Sequence, residues 1–296
     1  MSDTLLASAP VQTIPVGDSA LGYRVVGAGP DVVFVHGWPL HGLTWRHIVE
    51  RLAPHYRCHV FDLPGTGDSK WDWTLTFGIG AHATRVRAAV DALGLESFAL
   101  VGHDSGAAIT RHVAAELGDR VWANVVSGSE IPGHRPFLLQ ALLVLGKLPI
   151  SPLAFRTLLR SRFLRSTQLG WGACFSDPSK AEGEFHGLFG VPLLASRTAF
   201  AGQMGLARDF DWADTDALAE AHTRITGPTL MLWGDGDPYF PVGKAKAMAD
   251  QFAGGATLIS RPDGRLFVHE EHPGWFAEHT VRHFEAALAT NEAAAR

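Results

Sequence analysis

The sequence predicts an α/β fold, built on a mostly parallel sheet that carries helices on both of its faces. Short apolar runs that end in Gly, Pro or Asp turns alternate with segments whose apolar residues recur at helical spacing. The apolar runs are nearly continuous, as is typical of parallel strands that are buried on both faces. Hydrophobic residues make up 46% of the 296 residues and charged residues 19%, so the chain can bury a large core.

The predicted strands and helices follow one another along most of the chain. The first two strand-like runs have no helical pattern between them, so we expect them to pair as an antiparallel hairpin. The predicted strands are "LGYRVVG", "DVVFVHG", "RCHVFDLPG", "SFALVGHDSG", "WANVVSGSE", "PTLMLWGDGD" and "ATLISRPDG". The predicted helices are "LTWRHIVERLA", "AHATRVRAAVDALG", "AAITRHVAAELG" and "KAKAMADQFAG", some of which close with a glycine.

The middle of the chain interrupts this alternation. From about Pro132 to Ile225 the sequence is rich in Leu, Phe, Arg and Gly and shows no clear strand pattern, which predicts a helical insertion. We therefore divide the chain into three parts. The first part of the sheet domain covers 1–131, the helical insertion covers 132–225, and the second part of the sheet domain covers 226–296.

The most apolar stretch of the chain lies in this insertion. It reads "PFLLQALLVLGKLPISPLAF" and is interrupted by Gln140, Lys147, Pro149 and Pro152. Its unbroken apolar runs are much shorter than the roughly 18 residues that a membrane-spanning helix needs. We expect a buried helix or a lid here, and no membrane partner.

Composition and charge limit the expected partners further. The net charge is −5 with 15 neutral histidines, which offers no electrostatic reason to expect nucleic acid. Two cysteines, Cys58 and Cys174, do not make a disulfide framework, and the N-terminus lacks the basic start and apolar core of a signal peptide. We therefore expect a cytoplasmic monomer or homodimer that acts on a small molecule.

The motifs predict neither a metal nor a cofactor. The segment "HEEH", from His269 to His272, matches neither His-Glu-x-x-His nor His-x-x-Glu-His. The segment "DLPGTGDS" contains Gly65 and Gly67 but lacks the third glycine and the lysine of phosphate-binding loops. A structural turn is the simpler interpretation of this second segment.

The segment "VGHDSGA" places a carboxylate on a predicted strand-to-helix turn. Asp104 has Gly102 two residues before it and Gly106 two residues after it. Such a turn lifts the central side chain clear of the sheet, and the N-terminus of the following helix favours an anion there. In a parallel sheet the carboxyl ends of the strands form one rim, where ligands bind. Asp104 is therefore a candidate site residue, and the alternative is a helix N-cap.

Four segments carry a family resemblance. "HGWP", "DLPGTGDS", "GHDSG" and "GDGDPYFP" have the order and spacing of the α/β-hydrolase superfamily, which the chain resembles over nearly its whole length. The resemblance implies an eight-stranded, mostly parallel sheet with a helical cap inserted after the sixth strand. Most members carry serine at the centre of the turn. Asp104 instead resembles the branch of haloalkane dehalogenases, haloacetate dehalogenases and epoxide hydrolases, while Ser105 lies off-centre.

The resemblance implies a chemistry for Asp104. A carboxylate attacks an sp³ carbon that bears a halide or an epoxide oxygen, and the resulting alkyl ester is then hydrolysed. By analogy with the family, backbone N–H groups of Trp38 and Ser105 stabilise the oxyanion. The pattern Gly-x-x-Asp-x-x-x-Pro assigns the acid of the catalytic set to Asp237. Glu130, after the sixth strand, is the alternative acid.

The catalytic base is the point at which the chain departs from the family. The family usually has Gly-His-aromatic after the eighth strand, followed by Glu-x-Pro. Aligned on Phe267, Glu271 and Pro273, the histidine position holds Leu266, which cannot act as a base. His269, three residues further on, is the candidate base. A base from elsewhere in the chain and the loss of any working base both remain open.

The residues of the predicted cap indicate which leaving group to expect. Tyrosines of the cap protonate the opening oxygen in epoxide hydrolases, and no tyrosine falls in 132–225. We therefore expect a dehalogenase-like hydrolase, with an epoxide hydrolase as the alternative. Trp38, Trp171 and His186 are candidate N–H donors to a leaving halide, although each could equally pack in the core. The alternative of another class is a non-hydrolytic or catalytically impaired protein that binds a small molecule.

Overall fold

The eight-stranded, mostly parallel sheet is confirmed. The computed structural model describes residues 4–148, 150–167 and 169–294. The strands are β1 (Gln12–Pro15), β2 (Ala20–Val26), β3 (Asp31–Val35), β4 (Arg57–Asp62), β5 (Phe98–His103), β6 (Val121–Ser127), β7 (Thr229–Gly234) and β8 (Ala256–Arg261). Their order in the sheet is β1-β2-β4-β3-β5-β6-β7-β8. The pairs β1–β2 and β2–β4 are antiparallel, and the remaining pairs are parallel.

The predicted hairpin of the first two apolar runs is wrong. These runs are β2 and β3, and β4 lies between them, so that β2 pairs with β4 rather than with β3. Both edges of β3 are occupied by parallel neighbours, β4 and β5. The connection after β2 must therefore cross the start of β4. Gly27 and Gly29, both at positive φ, allow this close passage, because a Cβ on Gly27 would lie 2.3 Å from the carbonyl oxygen of Tyr56.

Helices occupy the segments between the strands. They are α1 (Leu5–Ser8), α2 (Arg46–Leu52), α3 (Ile79–Ala92), α4 (Ser105–Leu117), α5 (Phe137–Gly146), α6 (Ser151–Arg160), α7 (Arg162–Arg165), α8 (Gly183–Phe185), α9 (Val191–Ala195), α10 (Arg197–Asp209), α11 (Trp212–Asp216), α12 (Leu218–His222), α13 (Val242–Ala249), α14 (Val268–Glu271) and α15 (Pro273–Ala294). Shorter 3₁₀ or π turns cover Gly42–Trp45, Gly118–Arg120, Trp171–Cys174, Pro178–Ala181 and His186–Gly190.

The core consists of two apolar layers, one on each face of the sheet. Successive residues of β3 alternate between them: Val33 and Val35 enter the layer formed with α3 and α4, while Val32 and Phe34 enter the layer formed with α2 and α15. This alternation follows from the two-residue period of a strand. Burial on both faces explains why the strands are almost continuously apolar in the sequence.

The segment between β6 and β7 contains helices and loops but no strand among its described residues. Helices α5 to α12 follow β6, and the sheet resumes with β7. No single helix in the described ranges is long and apolar enough to cross a bilayer. Helices α5 and α6 reach that length and composition only as a pair, and they are bent by 118° at the break between them. Pro149, which interrupts the apolar stretch, lies outside the described residues.

Candidate active site

Asp104 stands on the sharp turn between β5 and α4. Among the non-glycine residues described, it alone has a positive φ, 52°, a conformation that costs an L residue about 1–3 kcal/mol. The flanking glycines are needed for close packing. A Cβ on Gly102 would lie 2.5 Å from the Cα of Ala107, and a Cβ on Gly106 would lie 2.3 Å from the carbonyl oxygen of His36. This closely packed turn positions the carboxylate at the rim of the sheet.

Two backbone N–H groups hold this carboxylate. The N–H of Trp38 donates to Oδ2 of Asp104 over 2.8 Å and lies 3.2 Å from Oγ of Ser105. The N–H of Ser105 is the second donor to the carboxylate. Gly37 permits the approach, because a Cβ there would lie 2.4 Å from the Cβ of Asp104. The structure thus brings together Asp104, Trp38 and Ser105.

Three buried carboxyl groups influence one another at this site. Burial, and then the charges of Glu130 and Asp237, raise the pKa of Asp104 well above its ordinary value, against the two N–H donors that lower it. Burial also raises the pKa of Glu130, and it raises the pKa of Asp237 to about 7. Because like charges repel in a buried site, the three groups do not all ionise near neutral pH.

Glu130 is tied to the core through Ser129. Oγ of Ser129 lies 2.9 Å from Oε2 of Glu130 and 2.9 Å from the carbonyl oxygen of Asp104. The buried guanidinium of Arg111 donates to Oγ of Ser129 over 2.7 Å and to the carbonyl oxygen of Glu130 over 2.8 Å. Burial lowers the pKa of Arg111 to about 10. The guanidinium of Arg111 is therefore hydrogen-bonded within the core and is not available to bind a substrate carboxylate.

Asp237 has one satisfied and one unsatisfied oxygen. Its Oδ1 accepts the N–H groups of Tyr239 and Phe240, each over 2.9 Å. Its buried Oδ2 has no hydrogen-bond partner within the described part of the chain. A Cβ built on Gly128 would lie 3.3 Å from this oxygen and 2.9 Å from Cδ1 of Leu266. The apolar Leu266 thus lies beside Asp237, where the resemblance implies a histidine.

The structure does not bring His269 to Asp104. Nε2 of His269 lies 2.8 Å from Oγ1 of Thr44, and its ring packs 4.2 Å from the ring of His103 and 4.9 Å from that of Trp45. Burial holds its pKa well below the ordinary value. Leu266 precedes α14 and faces the cavity described next, whereas His269 lies within α14 and faces the core. His269 follows Leu266 by three residues, about one helical turn. Its imidazole therefore points away from the cavity and packs against Thr44 and Trp45.

An apolar cavity opens over Asp104. Its volume is about 70 Å³, and a neighbouring cavity of about 320 Å³ shares wall residues with it, among them Phe155 and Leu158. The first cavity is lined by Trp38, Pro39, Asp104, Leu139, Leu142, Phe155, Leu158, Leu159, Arg165, Leu169, Gly170, Trp171, Cys174, Tyr239, Phe240, Leu266 and Phe267. No histidine is among these described lining residues. The described residues also contain no His, Cys, Asp and Glu cluster that could hold a metal.

The three predicted halide donors occupy different environments. Nε1 of Trp38 already donates to the carbonyl oxygen of Gln203 over 2.7 Å. His186 lies outside the described cavity lining, and its Nε2 lies 3.2 Å from the carbonyl oxygen of Leu159. Trp171 lines the cavity. Of the three, Trp171 is thus the one that lines the cavity with Asp104 and for which the described residues show no hydrogen bond from the indole N–H.

Tyr239 is a cavity residue that the sequence analysis did not select. It follows Asp237 by two residues, on the loop after β7, and it lines both cavities. Burial, with smaller contributions from the charges of Cys174 and Asp104, raises the pKa of its hydroxyl, so the phenol stays protonated. The sequence feature that could have indicated Tyr239 is its position two residues after Asp237, on the same loop at the rim of the sheet. Tyr239 lies outside the insertion, where the resemblance to epoxide hydrolases implies the tyrosines.

The fold and the strained turn define the class of protein. A family model described as alpha/beta hydrolase fold matches residues 30–273. The chain therefore belongs to the α/β-hydrolase fold family, whose members are generally hydrolytic enzymes.

Its curated relatives include two kinds of hydrolase. A pimeloyl-[acyl-carrier protein] methyl ester esterase of Vibrio campbellii is 24% identical over 271 residues, which cover 90% of this chain and 98% of that protein. A haloalkane dehalogenase of Mesorhizobium japonicum is 39% identical over 119 residues, 39% of this chain. The local matches span small parts of the relatives: 38% of this dehalogenase, and 19% of the corresponding Vibrio vulnificus esterase, which is 53% identical over 49 residues.

Solved structures share the fold over nearly the full length of the chain. The haloalkane dehalogenase DbeA from Bradyrhizobium elkani USDA94 superposes with a TM-score of 0.81 at 21% identity, covering 96% of this chain and 100% of that one. The epoxide hydrolase CorEH superposes with a TM-score of 0.77 at 21% identity, covering 94% and 99%. At such identities the likeness concerns the fold, and the activity is argued from the site.

Proposed function

We propose that the protein acts through an aspartyl-alkyl ester on Asp104, formed from a small, mostly apolar electrophile. The observation that carries this proposal is the Asp104 carboxylate on its strained turn, 2.8 Å from the N–H of Trp38. Ser105, the nearest hydroxyl in sequence, lies off the centre of the turn. The esterases among the relatives therefore offer a weaker guide to the chemistry than the dehalogenases and epoxide hydrolases do.

The reaction has two steps with different requirements. In the first, an oxygen of Asp104 forms a bond to an sp³ carbon, and the bond from that carbon to its leaving group breaks, with the electron pair leaving on that group. In the second, water adds to the ester carbonyl, the N–H groups of Trp38 and Ser105 stabilise the oxyanion, and the product alcohol departs. The second step needs a base to take a proton from the water.

The cavity supports an epoxide oxygen as leaving group ahead of a halide. The protonated hydroxyl of Tyr239 lines the cavity with Asp104, and a phenol can give a proton to an opening epoxide oxygen. The indole N–H of Trp38 is committed to Gln203 and does not face a leaving halide. This reverses the order that the tyrosine-free insertion suggested. Dehalogenation stays the second candidate because the indole of Trp171 lines the same cavity.

The second step is expected to be slow. Leu266 takes the place implied for the base, and His269 lies in another layer of the molecule. General-base help is worth about 100- to 10,000-fold, so its loss lets the ester persist. We therefore expect the protein to accumulate one covalent adduct and to turn over slowly.

The proposal is tested by intact-protein mass spectrometry after incubation with a panel of terminal epoxides, haloalkanes and haloacids. The expected result is a gain of one substrate mass for an epoxide, mapped to the peptide that carries Asp104. Asp104→Ala should abolish the adduct, and Ser105→Ala, the matched control, should retain it. Neither adduct nor turnover from any compound would reject the proposal and favour a protein that binds a small molecule without reacting.

A further inference from the structure

The exposed large apolar side chains are concentrated in one part of the chain. Of the twelve that the described residues expose, eight fall within residues 137–169, and the most exposed is Phe137 at 84%. The eight are Phe137, Val144, Leu145, Leu148, Ile150, Leu153, Phe163 and Leu169. The sequence analysis predicted a buried helix or a lid here and no membrane partner. Isolated exposed apolar residues are normal, but eight of them within one short segment indicate a contact surface.

The same part of the chain is strongly basic. Residues 131–176 contain six Lys or Arg and no Asp or Glu, in a chain whose net charge is −5. Two of these cations are paired, Arg135 with Asp216 and Arg165 with Glu182. Lys147, Arg160 and Arg162 are exposed and have no ion pair within the described residues.

A groove beside the apolar group adds aromatic residues and further cations. Its lining includes Trp71, Trp73, Lys147, Arg156 and Arg197. Trp73 is 66% exposed, and its ring packs edge-on against Trp71 at 5.2 Å. Tryptophan side chains next to exposed cations are typical of protein surfaces that lie at the boundary between lipid headgroups and acyl chains.

The inner side of these helices leads to Asp104. Leu142 of α5 and Phe155 and Leu158 of α6 line both cavities over the carboxylate. The outer cavity also contacts Leu145, which is 44% exposed. The cavity next to the one over Asp104 is therefore lined in part by a side chain of this exposed apolar group.

We propose that this surface, formed by α5, α6, α7 and the Trp71–Trp73 loop, rests on an anionic lipid bilayer. The apolar side chains enter the acyl boundary, and Lys147, Arg160 and Arg162 meet lipid phosphates. A second copy of this chain fits less well, because the exposed cations of the surface outnumber its acid, Asp72, and two such faces would repel each other. The 118° bend between α5 and α6 agrees with a pair that lies on the bilayer. This inference stands independently of the chemistry at Asp104.

The test is flotation of the full-length protein with vesicles of phosphatidylcholine alone and with 30% phosphatidylglycerol. We expect the bound-to-free ratio to be at least tenfold higher on anionic vesicles and to fall as salt is raised. Phe137→Ser with Phe163→Ser should lower it at least tenfold. Leu5→Ser, which alters an exposed leucine outside the surface, should leave it unchanged.

The charge contribution is tested separately by Lys147→Gln with Arg160→Gln and Arg162→Gln. This variant should lose the preference for anionic vesicles, while circular dichroism and the melting temperature stay as in wild type. Equal flotation of wild type and the double Phe variant overturns the proposal, as does the absence of wild-type binding to anionic vesicles. A concentration-dependent dimer that the same Phe substitutions dissolve would assign the surface to a second copy instead.

Discussion

Nε2 of His103 lies 2.9 Å from the carbonyl oxygen of Leu266, and the imidazole donates this hydrogen bond. The contact ties the residue before Asp104 to the position at which the resemblance implies the base. Burial lowers the pKa of His103 to about 3, so the ring stays neutral and its hydrogen-bonding role does not change near pH 7. The loop that carries Leu266 is thus fixed against the strained turn, and no histidine is among the described residues that line the cavity there.

Leu266→His should restore the second step. The new imidazole would stand beside the free Oδ2 of Asp237, which would orient it and stabilise its protonated form. We expect the covalent adduct to disappear and turnover to rise about 100- to 10,000-fold. The measurement is adduct mass against product formation over time, with Leu266→Asn as a polar control that cannot act as a base.

The same experiment tests His269. His269→Gln keeps a hydrogen-bonding group for Thr44 but removes the imidazole. If His269 reaches the water through a movement of α14, this variant should accumulate adduct that wild type does not. A wild type that turns over rapidly and loses turnover in His269→Gln would contradict the place we give to Leu266.

Glu130→Gln should move the pH dependence of the first step. The charge of Glu130 is the second-largest cause that raises the pKa of Asp104, after burial. Only ionised Asp104 attacks, so adduct formation rises with pH through the pKa of this group. Removing the charge lowers that pKa and shifts the rise to lower pH. The measurement is the rate of adduct formation from pH 5 to pH 9, and an unshifted profile would show that Glu130 does not act on Asp104.

Asp237→Asn should change how stability depends on pH. Burial raises the pKa of Asp237 from 3.8 to about 7, so between these values the folded protein holds a proton that the unfolded chain has lost. The contribution of Asp237 to the free energy of unfolding is therefore complete below pH 4 and falls as pH rises towards 7. Because Asp237 is half ionised at its pKa, the loss from pH 5 to pH 7 is about 2 kcal/mol at 1.36 kcal/mol per unit.

The asparagine variant does not undergo this loss, because it does not titrate. Its free energy of unfolding, relative to wild type, should therefore increase by about that amount between pH 5 and pH 7. Urea unfolding at several pH values measures it, with the exposed Asp235→Asn on the same loop as control. Parallel curves for wild type and Asp237→Asn would mean that Asp237 is ionised in the fold at pH 5.

The sequence predicted the parts of the site that depend on local geometry. The strained turn at Asp104 can be recognised in the sequence, because only glycine fits at positions 102 and 106 between the strand and the helix. The departure from the family at the position of the base is visible in the sequence because Leu266 stands in a short, aligned segment, while the sequence left open whether His269 replaces the base. The position of β4 between β2 and β3, and the side of α14 on which His269 lies, depend on long-range packing, and no local pattern reports them. Tyr239 reaches the cavity only because the rim loop folds over it.

Tyr239→Phe separates the two candidate leaving groups. An epoxide oxygen leaves as an alkoxide unless it receives a proton, whereas a halide leaves as a stable anion. If the Tyr239 hydroxyl supplies that proton, the variant should form adduct with an epoxide about 100-fold or more slowly, the lower range of general-acid help. Adduct formation with a haloalkane of similar size should change little, because the ring that lines the cavity remains.

The comparison uses rates of adduct formation for both substrates, measured by intact mass, so it does not depend on the second step. Trp171→Phe is the matched variant for the halide, because it removes the indole N–H and keeps an aromatic wall. For epoxide opening we expect Tyr239→Phe to be slow and Trp171→Phe to be near normal. The opposite pattern, with the haloalkane reacting faster in wild type, would make the protein dehalogenase-like. Equal rates for all three proteins would show that neither hydroxyl nor indole contacts the leaving group.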